Sequence, residues 1–455
     1  MKFLIKNSIY ATLFLTFFLA KNSFANIALI RDAQTEKFLH ELANPIFRAA
    51  NLNPQNIKIY IVNDASINAF VSGGQNVFLN TGLITKYKTP DTLIGVIAHE
   101  TGHITGGHLA RSSEGSKSAE NAMLLSYLLG IGAAVAGSPD AAAAIILGGS
   151  QSAQRLYMKF TRTQEEAADQ YAVEYLDKLR YPADGLVKLL EFFESEMIGY
   201  KDQIDEYLLS HPISRKRIDL IKARTADKKF SDTKINQKLQ TTMNQVLAKL
   251  EGFMEDPNQV LEKYKNKNDD GAIYAKSIAL FKKGKIDESL NLLDLLIAKN
   301  LQDGFLFEMK GQILFESGRI EDAIIAYNQA IKLLSSADSA LAKISFSAAI
   351  LTLKTSDKDL LKLVISSLNE AKVFEEENPF LFRQLASAYS KSGDEPRSLL
   401  ALAEFNLLIG EKEKCRKYAK EAKEKFDKSA KVELLRADDL LELAKEDDGD
   451  KKDGN

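Results

Sequence analysis

The stretch His99-Glu100-Thr101-Gly102-His103 closes an apolar helical run that opens at Thr89-Pro90-Asp91. A threonine N-cap, a proline at the first helical position and an acid in the first turn predict that a helix begins there. His99 and His103 are one turn apart, so both imidazoles project from one face and can bind one Zn²⁺. Glu100 lies about 100° around the helix, where its carboxylate can take a proton from water. The stretch therefore predicts a zinc site with a general base.

A catalytic zinc needs a third protein ligand, and a later acidic helix supplies candidates. In Glu165-Glu166-Ala167-Ala168-Asp169 the first and last carboxylates are one turn apart, so one can bind the metal while the other orients a ligand histidine. Glu166 is the fallback ligand, and a solvated acidic face is the alternative. His108 lies one residue short of the third-histidine position in the metzincin pattern, so we expect it beside the site or at the surface. Small Ala167 and Ala168 let the two helices approach closely.

Around this centre, the chain has the composition of a nearly neutral globular protein. Its 455 residues correspond to roughly three domains, and a 45% hydrophobic fraction excludes wholesale disorder. Lys+Arg 60 against Asp+Glu 62 gives a net charge of −2, which argues against a nucleic-acid binder. The single cysteine, Cys415, excludes an internal disulfide and a cysteine-only zinc site.

The first 25 residues predict export to the periplasm. Lys2 and Lys6 form a basic start that precedes an apolar run, Asn7–Ala20, and Ser23-Phe24-Ala25 offers a small-x-small cleavage site. The run is shorter than the roughly 20 residues that span a bilayer, so we expect cleavage after Ala25. An N-terminal membrane anchor is the alternative.

Two further apolar pieces, Ala122–Ala136 and Ala141–Leu147, are also too short to span a membrane. We expect a buried helical hairpin near the site. The alternative is a surface-seeking element that touches lipid, which leaves peripheral membrane association open.

Hydrophobic periodicity predicts the elements ahead of the HExxH helix. Asn26 to about Ala50 has the pattern of a helix, and Ile57–Asn63 that of a strand. Ile67–Ser72 and Asn76–Asn80 are expected to form a hairpin through Gly73-Gly74.

The C-terminal half predicts stacked helix pairs. Gly284 and Gly318 are 34 residues apart and are followed by similar segments, which matches the tetratricopeptide period. Gly393 lies 75 residues after Gly318, so a middle unit has slipped or lengthened, and Gly410 follows half a repeat later. Such an array offers a concave surface for a protein partner; a plain helical bundle is the alternative.

HExxH at His99–His103, followed by Glu165-x-x-Ala168-Asp169, resembles the M48 family of metalloproteases, whose signature is HExxH plus ExxAD. The resemblance implies one Zn²⁺ per chain, held by His99, His103 and Glu165. It implies that Glu100 is the catalytic base and that Asp169 supports a ligand.

Two further segments are similar to parts of that family. His211-Pro212 with Arg217 looks like its downstream His-Pro segment. The resemblance implies that His211 either masks the zinc as a fourth ligand or supports the transition state. The alternative is a structural loop histidine that only satisfies local hydrogen bonds. Arg217 is expected behind the ligands. Asn68-Ala69-Phe70 resembles the family's edge strand, which implies pairing with an extended substrate.

The expected fold class is α+β and mostly helical: a zincin-type metalloprotease domain with a small β-sheet and hairpin, then an all-α tetratricopeptide-like solenoid. We expect a signal peptide over 1–25, the M48-like domain over 26–225, a helical linker over 226–264, the repeat domain over 265–444 and a disordered charged tail over 445–455.

Signal, protease and repeats together resemble periplasmic M48 proteases with C-terminal repeats. That implies a zinc endopeptidase acting on misfolded or stalled outer-membrane proteins, with the repeats binding clients or the β-barrel assembly machinery. The alternative is a chaperone or assembly scaffold whose protease site is latent under His211. A weaker alternative is an integral-membrane M48 protease anchored by 122–147.

Overall fold

The computed structural model describes residues 28–108, 162–199, 211, 213–226, 237–353 and 357–445. The expected signal peptide, the apolar pieces within 122–147 and the charged tail beyond 445 lie outside these residues. The chain divides into two compact units, with the boundary between Ala279 and Leu280.

The first unit contains a four-stranded sheet. Its strands are β1 (Leu29–Ile30), β2 (Ile59–Val62), β3 (Ala69–Ser72) and β4 (Asn76–Asn80). The strand order is β1-β2-β4-β3, with β2 and β4 parallel and the other two pairings antiparallel. The predicted hairpin is present as β3 and β4, and its turn places Gly73 and Gly74 at positive φ, 58° and 95°. β3 is therefore an edge strand.

The first unit also contains helices, of which the first three in chain order contact the sheet. They are α1 (Ala33–Ala49), α2 (Thr81–Lys86), α3 (Pro90–Thr105), α4 (Arg162–Lys178), α5 (Asp184–Gly199), α6 (Arg215–Thr225), α7 (Gln237–Met254) and α8 (Pro257–Lys263). A further helix, α9 (Asp270–Lys282), runs across the boundary between the units.

The start of α1 corrects one prediction. A helix was expected from Asn26, but α1 begins at Ala33 because the Asp32 side chain accepts a hydrogen bond from the Thr35 backbone N–H at 2.7 Å and caps the helix. Before the cap, Leu29 and Ile30 pair with β2 instead. Helical periodicity cannot distinguish two apolar residues in a short strand from the first turn of a helix.

The HExxH segment lies on α3, which is buried along most of its length. The helix begins at Pro90, as the sequence predicts. It contacts α1, α4, α5 and β3. Two glycines allow its closest approaches: a Cβ on Gly102 would lie 2.6 Å from the Ala168 carbonyl oxygen on α4, and one on Gly95 would lie 2.7 Å from the Leu186 nitrogen on α5. The backbone of α3 therefore packs directly against the backbones of α4 and α5 at these two glycines.

The second unit is an array of helices. They are α10 (Ile286–Lys299), α11 (Gly304–Glu316), α12 (Ile320–Leu333), α13 (Ala340–Thr352), α14 (Lys358–Lys372), α15 (Pro379–Ser392), α16 (Glu395–Leu408), α17 (Lys412–Lys425) and α18 (Lys431–Leu443). Each helix from α10 onward packs against the next one. The turns after α9, α11, α15 and α16 use Gly284, Gly318, Gly393 and Gly410, all at positive φ between 75° and 84°.

The fold class predicted from the sequence is confirmed: a small N-terminal sheet among helices, followed by helix pairs. Within the part of the chain that the structure describes, none of the helices combines the length and the apolar character needed to cross a bilayer.

Candidate metal centre

Four predicted site residues converge where α3 crosses α4. His99 and His103 project from one face of α3, Glu165 comes from the first turn of α4, and His211 lies just before α6. One ligand atom from each of these four residues lies within 4.8 Å of the others. Residues from three separate parts of the sequence thus form one group of a size that fits a metal ion.

The distances within this group are short and involve the expected atoms. His99 Nε2 lies 3.1 Å from His103 Nε2. The Glu165 carboxylate bridges the two rings, with Oε1 3.2 Å from His103 Nε2 and Oε2 3.3 Å from His99 Nε2. Two imidazoles and one carboxylate are a common ligand set for catalytic zinc.

Asp169 and Arg217 support this group from behind. His99 Nδ1 donates to Asp169 Oδ1 at 2.9 Å, so the ring presents Nε2 to the group. Arg217 is 1% exposed; its Nε donates to Asp169 Oδ2 at 2.7 Å and its Nη1 lies 3.0 Å from Glu165 Oε2. The guanidinium therefore fixes both carboxylates at once, which suits its planar fork of donors.

The buried charges shift the pKa values of this group. Burial alone would lower the pKa of His99, but hydrogen bonds to Asp169 and Glu165 outweigh it and raise that pKa to about 10. Burial alone would raise the pKa of Glu165, but the nearby His211, His103 and Arg217 hold it well below its usual value. The pKa of Asp169 is lowered in the same way, against burial, by Arg217 and His99.

Glu100 is in the position expected of a general base. Its side chain is buried beside the group, and its Oε1 accepts no hydrogen bond from any described residue. The His211 Nε2 atom lies 3.4 Å from Oε1. A buried carboxylate oxygen left without a donor is costly, so this atom is suited to a water or substrate proton.

Within the group, His211 lies between the other three residues and the edge strand. Its Nδ1 is 3.2 Å from Glu165 Oε2 and 3.3 Å from His99 Nε2. Its Nε2 donates to the Ala69 carbonyl oxygen at 3.2 Å. One imidazole thus contacts both places that the sequence assigns to chemistry and to substrate.

The predicted substrate strand is β3 with the residue before it. The Asn80 N–H donates to the Asn68 carbonyl at 3.0 Å, and Ala69 lies opposite Leu79 in the ladder. Because peptide groups alternate across an antiparallel ladder, the Ala69 carbonyl faces away from β4. Phe70 stacks on Phe78, with ring centroids 4.8 Å apart. The outer edge of β3 therefore points toward His211.

Glu166 and His108, the other two candidates from the sequence, lie outside the group of four. Glu166, the fallback ligand, points outward and pairs with Lys216 at 2.7 Å. His108 is buried, and its Nδ1 lies 3.0 Å from His103 Nδ1, on the side of that ring away from the group. The sequence placed His108 beside the site or at the surface without identifying this contact.

Comparison with known proteins finds similarity to a protease family in the N-terminal part of the chain. Residues 31–225 match Peptidase family M48. A beta-barrel assembly-enhancing protease of Yersinia pestis is 27% identical over 60% of this chain and 57% of its own length. The protein of that name from Escherichia coli (strain K12) is 27% identical over 42% of this chain and 39% of its own length. The chain therefore spans less than two thirds of either relative.

Among solved structures, a tetratricopeptide repeat protein from Parabacteroides merdae covers 57% of this chain and 98% of its own, with 11% identity and a TM-score of 0.27. Residues 31–225, which match the family model, contain α3, α4 and the whole candidate metal group. The match to Peptidase family M48 therefore includes every residue of the candidate metal group.

Proposed function

We propose that this protein is a zinc-dependent endopeptidase of the cell envelope that hydrolyses misfolded or stalled outer-membrane proteins. The observation that carries the proposal is the convergence of His99, His103 and Glu165 beside the buried carboxylate of Glu100, inside an M48 domain. The client class is supported by likeness to two relatives named beta-barrel assembly-enhancing proteases.

Zinc fits this group on two counts. The donor set is two imidazoles and a carboxylate, and Glu100 Oε1 is a buried acceptor without a donor among the described residues. His99, His103 and Glu165 would hold one ion per chain. Zinc in such a set acts as a Lewis acid toward water and a peptide carbonyl.

The chain's own residues then account for the proton transfers. Glu100 accepts a proton from the attacking water and returns it to the leaving amine, as a general base and then a general acid. Asp169 holds the His99 proton on Nδ1, which leaves Nε2 as the ligand atom. Arg217 keeps Asp169 and Glu165 ionised, because it compensates their charge in a buried setting.

We propose that Asn68, Ala69 and Phe70 bind substrate as an added strand. β3 is at the edge of the sheet, and the Ala69 carbonyl faces outward, where an extended peptide could donate to it. Main-chain pairing tolerates many sequences, which suits a protease that acts on unfolded chains.

The contacts of His211 favour the alternative of a latent site. While Nε2 donates to Ala69, a neutral ring presents the lone pair of Nδ1 to the metal-binding group. His211 would then fill the fourth position at the metal. It would at the same time occupy the Ala69 carbonyl, the acceptor that a substrate strand would otherwise use. In this state the protein would act mainly as a chaperone or assembly scaffold.

The helix pairs of the second unit are the proposed binding region for clients or the β-barrel assembly machinery. Stacked helix pairs present an extended concave surface that suits such a partner. Export to the periplasm is proposed from the N-terminal sequence, with its basic start, apolar run and Ala25 cleavage site.

The test is hydrolysis of an unfolded outer-membrane β-barrel protein by zinc-loaded protein. Glu100→Gln should lower the rate at least about 100-fold while zinc content stays at one per chain. Glu166→Gln, an outward-facing carboxylate on the same helix as Glu165, is the matched control and should keep full activity. Equal rates for wild type and Glu100→Gln would overturn the protease proposal.

The same assay distinguishes the two roles proposed for His211. His211→Ala should raise hydrolysis if the imidazole masks the site. It should lower hydrolysis if the imidazole supports the transition state. An unchanged rate would remove both roles.

A further inference from the structure

His103 has a partner on the side of its ring away from the metal-binding group, and that partner is a second histidine. His108 is 5% exposed, and its Nδ1 lies 3.0 Å from His103 Nδ1. The two rings meet edge to face, with centroids 4.9 Å apart and planes at 81°. Both nitrogens are thus at hydrogen-bond distance in a buried setting, where polar atoms are almost always paired.

The turn after α3 is built to bring His108 to this place. Gly106 ends the helix, and Gly107 has a φ of +63°, a conformation that side-chain-bearing residues rarely adopt. The chain therefore reverses and folds His108 back onto the helix face. A Cβ on Gly106 would lie only 2.4 Å from His108 Nε2, so the absence of a side chain there makes room for the ring.

Hydrogen-bond chemistry fixes the direction of the contact. A hydrogen bond between two imidazole nitrogens needs one N–H and one lone pair. If His103 is to offer the lone pair of Nε2 as a ligand, its proton must be on Nδ1. His108 Nδ1 must then be the acceptor, and a neutral His108 carries its own proton on Nε2.

We propose that His108 is a positioning residue that accepts the Nδ1 proton of His103 and so fixes the tautomer and ring orientation that present Nε2 to the metal. The inference rests on the proposed zinc site. It makes the support of the two α3 ligands asymmetric: a carboxylate, Asp169, behind His99 and a neutral imidazole behind His103. Partners of this kind typically account for about 10- to 100-fold in metal affinity.

The contact also argues against His108 as a metal ligand. Its Nδ1 faces the far side of His103, and His108 does not belong to the group of four whose ligand atoms lie together.

The experiment measures zinc affinity by chelator competition in the full-length protein and three variants. His108→Leu removes the acceptor and keeps a similar volume; His108→Asn keeps an acceptor oxygen near the place of Nδ1. Gly106→Ala displaces the ring without changing it. The His103 tautomer is read separately, by long-range ¹⁵N–¹H NMR of the zinc-loaded wild type.

We expect His108→Leu and Gly106→Ala to lose about 10- to 100-fold in zinc affinity, and His108→Asn to recover most of the loss. We expect the NMR spectrum to show the His103 proton on Nδ1. Full affinity in folded His108→Leu, equal losses in the Leu and Asn variants, or a His103 proton on Nε2 would each overturn the inference. The proposed function is tested separately. If the wild-type protein binds zinc and needs Glu100 for turnover, the proposed function stands even when the inference about His108 fails. If the wild-type protein binds no zinc, both the inference and the proposed function are wrong.

Discussion

Each proposed ligand contacts a second side chain on its outer side, which holds the ligand's donor atom toward the metal: Asp169 for His99, His108 for His103 and Arg217 for Glu165. The sequence predicts these three contacts to different degrees. Asp169 could be anticipated behind a histidine because it lies one turn after Glu165 on the same helix. Arg217 could be inferred only from a family resemblance, since it reaches Asp169 and Glu165 from another helix, α6. The contact of His108 depends on a reversal at Gly107 that no helical period predicts.

At the residue scale, zinc binding should release a proton from His99. In the metal-free protein, burial disfavours the charged ring, but hydrogen bonds to Asp169 and Glu165 outweigh it and raise the pKa to about 10. Below that pH the ring is charged, so a metal must displace the proton on Nε2. Zinc affinity should therefore rise with pH, about tenfold per unit for this one proton, and level off above the raised pKa.

Calorimetric titration of zinc at pH 8, in buffers with different ionisation enthalpies, counts the released protons. We expect about one proton from His99, and no fewer in the Glu166→Gln control. Zinc binding with no proton released at pH 8 would contradict the raised pKa.

At the element scale, the site depends on how closely α3 and α4 cross. Ala168 is fully buried, and its backbone faces Gly102, whereas Ala167 is half-buried. The sequence predicted a close approach from both alanines. Because the two residues are identical in size, the sequence alone did not show which one faces α3. The glycine on the opposite helix is an equal part of the contact, and only the crossing identifies it.

Gly102→Ala should therefore separate the ligands. The added Cβ would lie 2.6 Å from the Ala168 carbonyl oxygen, so the two helices must move apart. We expect a loss of about 1–3 kcal/mol in the free energy of unfolding. We also expect weaker zinc binding, because His99 and His103 move relative to Glu165. Chemical denaturation and chelator competition measure the two effects.

Gly271→Ala, on α9, is the matched control for this prediction. Its Cβ would lie 3.3 Å from the Asn244 carbonyl oxygen, a tight contact that a shift of a few tenths of an ångström relieves. We therefore expect a much smaller change in stability than for Gly102→Ala and no change in zinc affinity. If Gly102→Ala behaves like Gly271→Ala in both measurements, the crossing does not set the ligand spacing.

At the scale of the whole molecule, the repeat period was predictable where glycine marks it. The first helices of successive pairs begin at residues 270, 304, 340, 379 and 412, which gives intervals of 34, 36, 39 and 33. Gly284 and Gly318 bound the regular interval, so their spacing revealed the period. The two longer pairs between Gly318 and Gly393 account for the 75-residue gap. Gly410 follows the second helix of a pair, which explains why it comes half a repeat later.

The helices after the predicted protease boundary belong to the first unit. On α7, the buried Lys249 pairs with Asp32, the N-cap of α1. Gln240 donates to the Lys88 carbonyl at 2.8 Å, just ahead of the site helix α3. α9 in turn packs on α7, where Gly252 meets Ile278. Residues 237–279 thus contact the residues just before α1 and α3, although the sequence predicted a linker over 226–264.

Truncation should show whether the candidate metal centre needs these helices to fold. A chain that ends after Thr225, near the predicted domain boundary, loses Lys249 and leaves Asp32 without its buried cation. Loss of one partner of such a pair costs about 3–5 kcal/mol, a large share of a domain's stability. A chain that ends after Gly284 keeps α7, α8 and α9. We expect the longer chain to unfold cooperatively and bind zinc with wild-type affinity, and the shorter one to do neither. If both bind zinc equally well, α7 is a linker after all, and the protease domain is complete at residue 225.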